Sequence, residues 1–364
     1  MMQNSGFLRT KEIIAITLIL VGIKLSDSTP ALLAQKAQNG FWLIPILSFI
    51  CIFPSFLIML YLLKKYNDKN LVELMEAITG KWIGKSIGLL LFLFAFFTTT
   101  LDSRNYIEQV KLLYFPPQSP TMVIFFVFIG VVFFGAKKGI EVIGFTSWIS
   151  LAFIKASALL VVVLALGDLV IQRIFPIFGS GLPNILTEGV KKASMFAELF
   201  FLLIAYKATK ATSMFVKGII IASIITLFEI TLFYFIYISI FDYNSVNKIA
   251  FPFQDLTQFI ELGQFFTNIE TMFMVFWLLA AFIKFIILIY LTTWIFGEIF
   301  AIRNFEPLLL PFSFLVIMIG LLPFNAVINE LILRESLLTI MSPFFIILPY
   351  LLWGGTAWGK GDLK

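Results

Sequence analysis

A cluster of polar and charged side chains interrupts the first long apolar run of the sequence. The interruption consists of Lys24, Leu25, Ser26, Asp27, Ser28, Thr29 and Pro30. Proline lacks a backbone N–H and disfavours helix in the residue before it, so the pattern predicts that a helix breaks here. Backbone groups freed in an apolar environment must be satisfied by side chains, by water or by a ligand. The segment is therefore a candidate binding site for a small ligand.

A second candidate interruption lies in the sixth apolar run. It follows a loop rich in proline and glycine, and its small and polar residues are Gly189, Ala193, Ser194, Ala197 and Glu198. We interpret Ser194, Ala197 and Glu198 as the second half of the ligand site. For Lys24, Asp27 and Glu198 the alternative is a set of buried ion pairs that only fixes helix packing.

Other charged residues lie inside apolar runs, where they are costly and are therefore functional hypotheses. Lys155 stands alone in the fifth run, and Glu229 and Lys284 lie in the seventh and eighth. An ammonium group in such a place needs a carboxylate, carbonyl groups or water, or else it loses its proton. Arg104 and Glu108, four residues apart, share one helix face and are predicted to form a structural pair.

The residue inventory excludes several kinds of chemistry. The sequence contains no histidine, which removes imidazole acid–base catalysis and histidine metal sites. Its single cysteine, Cys51, can form neither an internal disulfide nor a thiolate metal cage. The net charge of +5 is spread over short loops, whereas a nucleic-acid interface needs a continuous basic face. We therefore expect no metal, no cofactor, no nucleic-acid partner and no enzymatic activity.

The elements that must position these residues are membrane spans. Of the 364 residues, 60% are apolar and only 13% are charged, which is incompatible with a soluble domain. The lipid bilayer is thus a partner of almost the whole chain. Ten spans are predicted, at about 12–38, 41–63, 83–115, 120–135, 140–166, 184–206, 213–241, 265–297, 306–323 and 334–354.

The two interruptions occupy the first and the sixth of these ten spans. Because a half with five spans reverses the following half across the membrane, this placement predicts two inverted repeats. The expected fold is an all-α integral membrane protein with a single transmembrane domain over 1–364. Its first five-helix repeat would cover 12–166 and its second 184–354, with helices 1 and 6 broken.

Lysine and arginine are distributed unequally between the two sides of the predicted membrane. Fifteen lie on the side of both termini: Arg9, Lys11, Lys64, Lys65, Lys69, Lys81, Lys85, Lys137, Lys138, Lys207, Lys210, Lys217, Arg303, Lys360 and Lys364. Seven lie on the other side: Lys36, Lys111, Arg173, Lys191, Lys192, Lys248 and Arg334. Since cytoplasmic loops carry the excess of these residues, both termini are predicted to be cytoplasmic.

Several separated motifs resemble one family in their order and spacing. They are residues 70–90 with Gly-Lys-Trp-Ile-Gly at 80–84, Arg104 with Glu108 and Lys111 ahead of Pro116, Gly139-Ile-Glu-Val, Ser194 to Glu198, and Pro252 followed by Gly263, Phe265, Glu270, Trp277, Phe282 and Tyr290. Over about residues 10–352 the chain resembles the B subunits of spore germinant receptors, the GerAB-type family. That family is similar to the amino acid, polyamine and organocation transporter superfamily.

The resemblance implies a ten-helix, LeuT-like inverted-repeat fold in the inner membrane of a bacterial endospore. It implies two partners, a larger A-type membrane subunit and a C-type lipoprotein subunit. The implied function is to sense a small nutrient, often an amino acid, and to start germination. The implied ligand pocket lies between residues 25–30 and 194–198, with spans three and eight as walls.

The sequence also departs from the family pattern. Relatives that sense amino acids have a glycine-rich break in span one, whereas this chain keeps only Gly22 and Pro30 there, on either side of Lys24 and Asp27. An arginine that commonly follows the Gly-x-Glu of span five is missing, and Asn268 stands at another frequent arginine position. These departures predict either a different germinant or altered packing.

Four functions are compatible with these observations, and the preferred one is a nonenzymatic ligand sensor. The second is a proton-coupled amino-acid or amine transporter, which Lys155 favours because a lysine in span five of some sodium-independent relatives takes the place of a sodium ion. The third is a passive water or ion pathway. A membrane enzyme is the least expected, because no familiar catalytic constellation is present.

Overall fold

The structure is a computed structural model that describes residues 7–66, 69–260 and 269–358. Within these ranges the regular structure is helical, and the only strand-like feature is an isolated parallel bridge between Leu8 and Thr209. The prediction of an all-helical fold is confirmed. The predicted start of span eight, together with Gly263, Phe265 and Asn268, lies outside the described residues.

The described residues of the first half of the chain form seven α-helices. They are α1 (Thr10–Gly22), α2 (Thr29–Ala37), α3 (Ile44–Lys65), α4 (Leu71–Thr79), α5 (Lys81–Tyr114), α6 (Thr121–Ala136) and α7 (Gly139–Ala165). Four 3₁₀ segments accompany them, at Ile23–Leu25, Gln38–Leu43, Leu166–Asp168 and Ile171–Ile174.

Nine more helices follow in the part of the second half that the structure describes. They are α8 (Leu182–Lys191), α9 (Glu198–Leu202), α10 (Thr212–Phe241), α11 (Tyr243–Val246), α12 (Pro252–Phe259), α13 (Ile269–Ile299), α14 (Leu309–Gly320), α15 (Ala326–Ile328) and α16 (Glu335–Trp358). The 3₁₀ segments of this half are Ala193–Phe196, Leu203–Ala208 and Glu306–Leu308, and a π-helical segment, Asn329–Arg334, joins α15 to α16.

Six helical runs of the described residues are long and apolar enough to cross a membrane. They are Thr29–Lys65, Lys81–Tyr114, Gly139–Asp168, Thr212–Phe241, Glu270–Ile299 and Ala326–Thr356. Two shorter apolar helices, Thr121–Ala136 and Glu306–Gly320, fall at the predicted fourth and ninth spans. Since a straight span needs about 20 apolar residues, these runs make the chain an integral membrane protein.

The centre of the bundle is formed by helices that are apolar on every side. α1 packs against α7, α10 and α13, and nearly all of its residues from Ile13 to Gly22 are buried. A helix that is apolar all round belongs in the interior of a bundle. By contrast, α6, α7 and α14 expose large apolar side chains such as Phe134, Phe153 and Leu310 on one side, as lipid-facing helices do.

The short helix α4 lies between the second and third predicted spans. Asn70 caps its first turn, because its side-chain oxygen accepts from the Glu73 amide at 2.8 Å while the Glu73 carboxylate accepts from the Asn70 amide at 2.7 Å. This reciprocal pair is a capping box. Leu71, Leu74 and Met75 are buried, and the helix packs on α5.

The predicted boundary of the tenth span is wrong in one respect that affects the site. The helical run begins at Ala326, whereas the sequence pattern placed its start at Arg334. The π-helical segment carries Asn329, Glu330 and Arg334 into the interior, where all three are buried. Arg334 is therefore a core residue and not a loop residue, and it no longer contributes to the charge difference between the two sides.

Candidate functional site

The first interruption separates α1 from α2. α1 ends at Gly22, a 3₁₀ turn covers Ile23–Leu25, and α2 begins at Thr29. Pro30 lies in the first turn of α2, where its missing N–H has no helical partner to lose. The Asp27 carboxylate accepts a hydrogen bond from the Thr29 amide at 2.8 Å, which satisfies one of the free N–H groups at the start of α2.

Four consecutive carbonyl groups at this interruption accept hydrogen bonds from side chains of neighbouring helices. The pairs are Tyr106 Oη with Ile23 at 3.2 Å, Tyr234 Oη with Lys24 at 3.3 Å, Tyr237 Oη with Leu25 at 2.6 Å, and Gln109 Nε2 with Ser26 at 3.4 Å. The Trp277 indole donates to Ser26 Oγ at 3.1 Å. Donors from α5 and α10 thus bond to backbone carbonyl groups at the break, and the α13 donor holds the Ser26 side chain.

We expect Tyr237→Phe to destabilise the purified protein by about 1–3 kcal/mol, because it leaves the buried Leu25 carbonyl without its donor. Thermal unfolding in detergent measures this change. Tyr61→Phe is the matched control, since the Tyr61 side chain is exposed. Equal unfolding temperatures of the two variants would show that the hydroxyl does not support the interruption.

The second interruption lies between α8 and α9. α8 ends at Lys191, a 3₁₀ segment covers Ala193–Phe196, and α9 begins at Glu198. Ser194 is fastened to α16, because its amide donates to Ser342 Oγ at 2.9 Å and its hydroxyl donates to the Leu338 carbonyl at 2.6 Å. Ala197 is buried directly before Glu198. This segment is therefore held by α16 on one side.

The two interruptions touch through a buried ion pair. Lys24 Nζ lies 2.5 Å from Glu198 Oε2 and donates to the Met195 carbonyl, also at 2.5 Å. Lys24 is 3% exposed and Glu198 is inaccessible. The second carboxylate oxygen of Glu198 has no hydrogen-bond partner within the described residues. Two residues selected from the sequence for separate reasons thus form one contact.

A second charged network surrounds Arg334 and Asp27. Arg334 Nη2 lies 2.5 Å from Asp27 Oδ2, and Arg334 Nε lies 3.0 Å from Asp102 Oδ1. Lys284 Nζ reaches the other oxygen of Asp102 at 2.8 Å, and Arg334 Nη1 also pairs with Glu330. These five residues form a continuous chain of charges from the first interruption to α5, α13 and the π-helical segment.

Ser28 and Thr29 join the first interruption to the same network. Ser28 Oγ accepts from Asn105 Nδ2 at 3.0 Å and from Arg334 Nη1 at 3.3 Å, while Thr29 Oγ1 accepts from Arg334 Nη2 at 2.9 Å. Asn105 also donates to the Glu330 carboxylate. All of these side chains are buried, so each hydrogen bond is made away from bulk water.

The remaining charged candidates form pairs of their own. Lys155 pairs with Glu229 beside Gly22, where an added Cβ would lie 3.9 Å from Lys155 Nζ. This ion pair shares no member with the Arg334 network. Arg104 Nη2 lies 2.6 Å from Glu108 Oε1 on the face of α5 that they share.

Sequence reasoning missed four residues of the network: Asp102, Asn105, Glu330 and Arg334. A signal for the first two was present, because residues 98–105 place seven polar side chains in the middle of the 34-residue helix α5. For the other two, the misplaced start of the tenth span put Glu330 and Arg334 in a loop. Their spacing of four residues on a helix would have predicted a pair.

Three cavities adjoin the interruptions. Between Lys24 and Glu198 the free space is only about 10 Å³, and between α1, α7 and α13 it is about 50 Å³. The largest, about 570 Å³, lies where α2 and α5 end, and we call it the vestibule. Its lining residues are Ser28, Ala31, Leu32, Gln35, Asn105, Glu108, Lys111, Leu112, Phe115, Pro117, Asn247, Lys248, Ile249, Ala250, Phe251, Ala326, Val327, Glu330 and Leu331.

The cavity volumes decide where a nutrient can fit in this conformation. Ligand pockets usually measure about 300–1,000 Å³, and only the vestibule of these three falls in that range. The space between the interruptions is no larger than a water molecule requires. Among the described residues there is no group of three or more His, Cys, Asp or Glu side chains that could hold a metal ion.

Comparisons with known proteins identify the family and the fold. The family model described as spore germination protein matches residues 9–327. YfkT of Bacillus subtilis (strain 168), assigned by its name to spore germination, is 24% identical over 270 residues, which are 74% of this chain and 73% of YfkT.

Among solved structures, the substrate-bound outward-open state of a Na⁺-coupled sialic acid symporter is similar, with a TM-score of 0.61 at 12% sequence identity. The similarity covers 95% of this chain and 76% of the symporter chain. At this identity the likeness establishes a shared transporter fold. The family match extends over most of the chain, and it confirms the resemblance that the separated motifs indicated. This chain belongs to the spore germination protein family.

Proposed function

We propose that this chain is the germinant-sensing membrane subunit of a spore germination receptor. A small nutrient, such as an amino acid, binds at the interrupted helices and shifts a two-state equilibrium that partner subunits detect. The observation that carries the proposal is the Lys24–Glu198 contact of 2.5 Å, which joins the two interruptions at a buried point. The 570 Å³ vestibule ends on Ser28, which accepts a hydrogen bond from Arg334, and Arg334 also lines the small space beside Lys24 and Glu198.

The physical basis of the sensor is competition for buried charges. In this conformation Lys24 forms an ion pair with Glu198 and Arg334 forms one with Asp27, so little space remains between the interruptions. A nutrient with its own charged group can replace one partner in each pair and hold the helices apart. It shifts the equilibrium only as far as its affinities for the two conformations differ.

The family and the transporter fold support the finer architecture that we propose. The chain crosses the membrane ten times in two inverted five-helix repeats, 12–166 and 184–354, with both termini in the cytoplasm. Moving Arg334 from the outer loops into the core changes the Lys and Arg distribution from 15 against 7 to 15 against 6, which strengthens the predicted orientation. In this orientation the vestibule opens to the outer side.

The proposed location is the inner membrane of the endospore, beside an A-type membrane subunit and a C-type lipoprotein subunit. Affinity purification of the tagged chain from spore membranes tests these partners. We expect both subunits to be recovered with it, and an unrelated multi-pass spore membrane protein with the same tag is the control. Recovery of neither subunit would contradict the proposed complex.

Reconstituted liposomes separate sensing from transport. For a sensor, labelled amino acids, sugars or nucleosides bind saturably to the purified chain but do not accumulate inside the vesicles, with or without a pH gradient. Protein-free liposomes give the background. Concentrative uptake of any of these solutes would contradict a function limited to sensing.

A proton-coupled amino-acid or amine transporter is the second candidate, favoured by the symporter-like fold and by Lys155. Lys155 and its partner Glu229 lie beside Gly22, directly before the first interruption. If this function is correct, Lys155→Ala abolishes pH-driven uptake by the liposomes. Lys138→Ala, at an exposed position, retains it. Equal uptake by the two variants would exclude Lys155 from coupling.

A further inference from the structure

The inner end of the vestibule is formed by its most buried polar residues. Ser28, Asn105 and Glu330 line the cavity and are only 6–8% exposed. Each is hydrogen bonded to another member of the group or to Arg334, which in turn holds Asp27. We call these three residues the vestibule floor. A ligand that reaches the floor therefore contacts the network that fastens the first interruption.

The hydrogen-bond inventory of the floor leaves acceptors but no donors. Asn105 Nδ2 uses its two hydrogens on Ser28 Oγ and Glu330, and this orientation is required because an amide oxygen would repel the carboxylate. The Asn105 Oδ1 atom is buried and has no partner within the described residues. The Glu330 carboxylate accepts from Asn105, from Arg334 and from the Ser28 hydroxyl, whereas a carboxylate offers about four acceptor positions.

The charge of the connected network also favours a ligand that donates hydrogen bonds and is positively charged. In the ion pairs of the described residues, Asp27, Asp102 and Glu330 carry three negative charges and are paired with two cations, Arg334 and Lys284. Lys24 also lies near Asp102, but its charge is balanced by its own partner, Glu198. Because the network is buried, its formal charge of minus one acts through a low dielectric. The network therefore lacks one cation.

The other charged residues of the vestibule lie apart from its floor or are paired. Glu108 is paired with Arg104. Lys111 donates to Thr121 at 3.2 Å and keeps its positive charge, but it lies six residues beyond Asn105 on α5, about 9 Å at the helical rise. Lys248 is exposed, so water screens its charge. The rest of the wall is mainly apolar, with side chains such as Leu32, Phe115 and Ile249.

We propose that the vestibule is a binding site for a primary ammonium compound with an apolar body. The ammonium group, with three donors and one positive charge, binds Glu330 and the free oxygen of Asn105, while the apolar body lies against the wall. The ammonium cation then interacts with Glu330 in addition to Arg334. This weakens the ion pair between Glu330 and Arg334, whose guanidinium also holds Asp27. This link to signalling rests on the proposed sensing function, but binding itself does not.

Linear alkylammonium chlorides from ethyl to hexyl test the site. The full chain is placed in lipid nanodiscs, binding is followed by tryptophan fluorescence and by thermal shift, and empty nanodiscs give the background. We expect saturable binding that strengthens about three- to fourfold for each added methylene. The matching alcohols and carboxylates should bind at least tenfold more weakly. Absence of binding, or equal binding of the alcohols, would overturn the proposal.

Two variants locate the binding. Glu330→Gln removes the charge at constant shape and is expected to weaken hexylammonium binding at least tenfold, whereas Glu306→Gln at an exposed position leaves it unchanged. Val327→Trp fills the vestibule from its 60%-exposed wall position without touching the charged network, and it should also weaken binding at least tenfold. It serves as the test if Glu330→Gln does not fold. Unchanged affinity in Val327→Trp would place the ligand elsewhere.

A germination assay with the same variants separates the two proposals. Loss of hexylammonium binding in Val327→Trp together with a normal nutrient response would remove the vestibule from signalling and leave the sensing function intact. Binding by the wild type without any role of the chain in germination would refute the sensing function and leave the vestibule site intact.

Discussion

Arg334→Met is expected to destabilise the protein more than any other single replacement in the charged network, by about 3–5 kcal/mol. Arg334 is 3% exposed and contacts the carboxylates of Asp27, Asp102 and Glu330. Asp102 keeps Lys284, but Asp27 loses its ion-pair partner. Thermal unfolding of the detergent-purified protein measures the loss, and a germination assay should show no nutrient response.

Three further variants test whether the loss of stability in Arg334→Met comes from the charged network. Arg303→Met is the matched control, because Arg303 is exposed, and it should unfold within about 0.5 kcal/mol of the wild type. Arg334→Lys keeps the charge but loses the planar fork that serves Asp27 and Asp102 together, so it should recover only part of the stability. Arg334→Met combined with Asp27→Asn should be more stable than Arg334→Met alone. If Arg334→Met unfolds like Arg303→Met, the network does not stabilise the fold.

Glu198→Gln is expected to shift the nutrient dose–response of germination at least tenfold, or to abolish it, while the chain remains in the membrane. Glutamine has nearly the same shape as glutamate but no charge, so Lys24 keeps the Met195 carbonyl and loses its counter-ion. A hydrogen bond to a charged group contributes about 1.5–3 kcal/mol, which corresponds to that shift. Asp27→Asn should have the same effect at the first interruption. Loss of optical density of the spores measures germination, and an immunoblot of spore membranes measures abundance.

The controls for Glu198→Gln distinguish signalling from packing. Glu141→Gln, at an exposed position, should respond as the wild type does. A double-mutant cycle with Lys24→Met should give coupling between the two positions, because their side chains are in direct contact. If Glu198→Gln and Asp27→Asn both show the normal dose–response, these residues have no part in the mechanism.

The composition of the chain already determined its environment and its helical nature. An excess of apolar residues with few charges is stable only in lipid, and within lipid the backbone can satisfy its own hydrogen bonds in helices. Lys24, Asp27 and Glu198 were recognisable for the same reason, since a charge in an apolar run is too costly to be incidental. Pro30 likewise indicated a break in the helix, and the structure places it in the first turn of α2.

Only the tertiary structure decided which charges meet. Lys24 and Glu198 are 174 residues apart, and Asp27 and Arg334 are 307 apart. The central helices are apolar on nearly every side, so their sequence does not indicate which face a charge occupies or which helix it meets. Arg334 was moreover misplaced because the ends of a span are poorly marked in sequence, whereas the packing of the π-helical segment brings its guanidinium between three carboxylates. The charges were visible in the sequence because burying them is costly, but their pairing depends on long-range packing that no local pattern records.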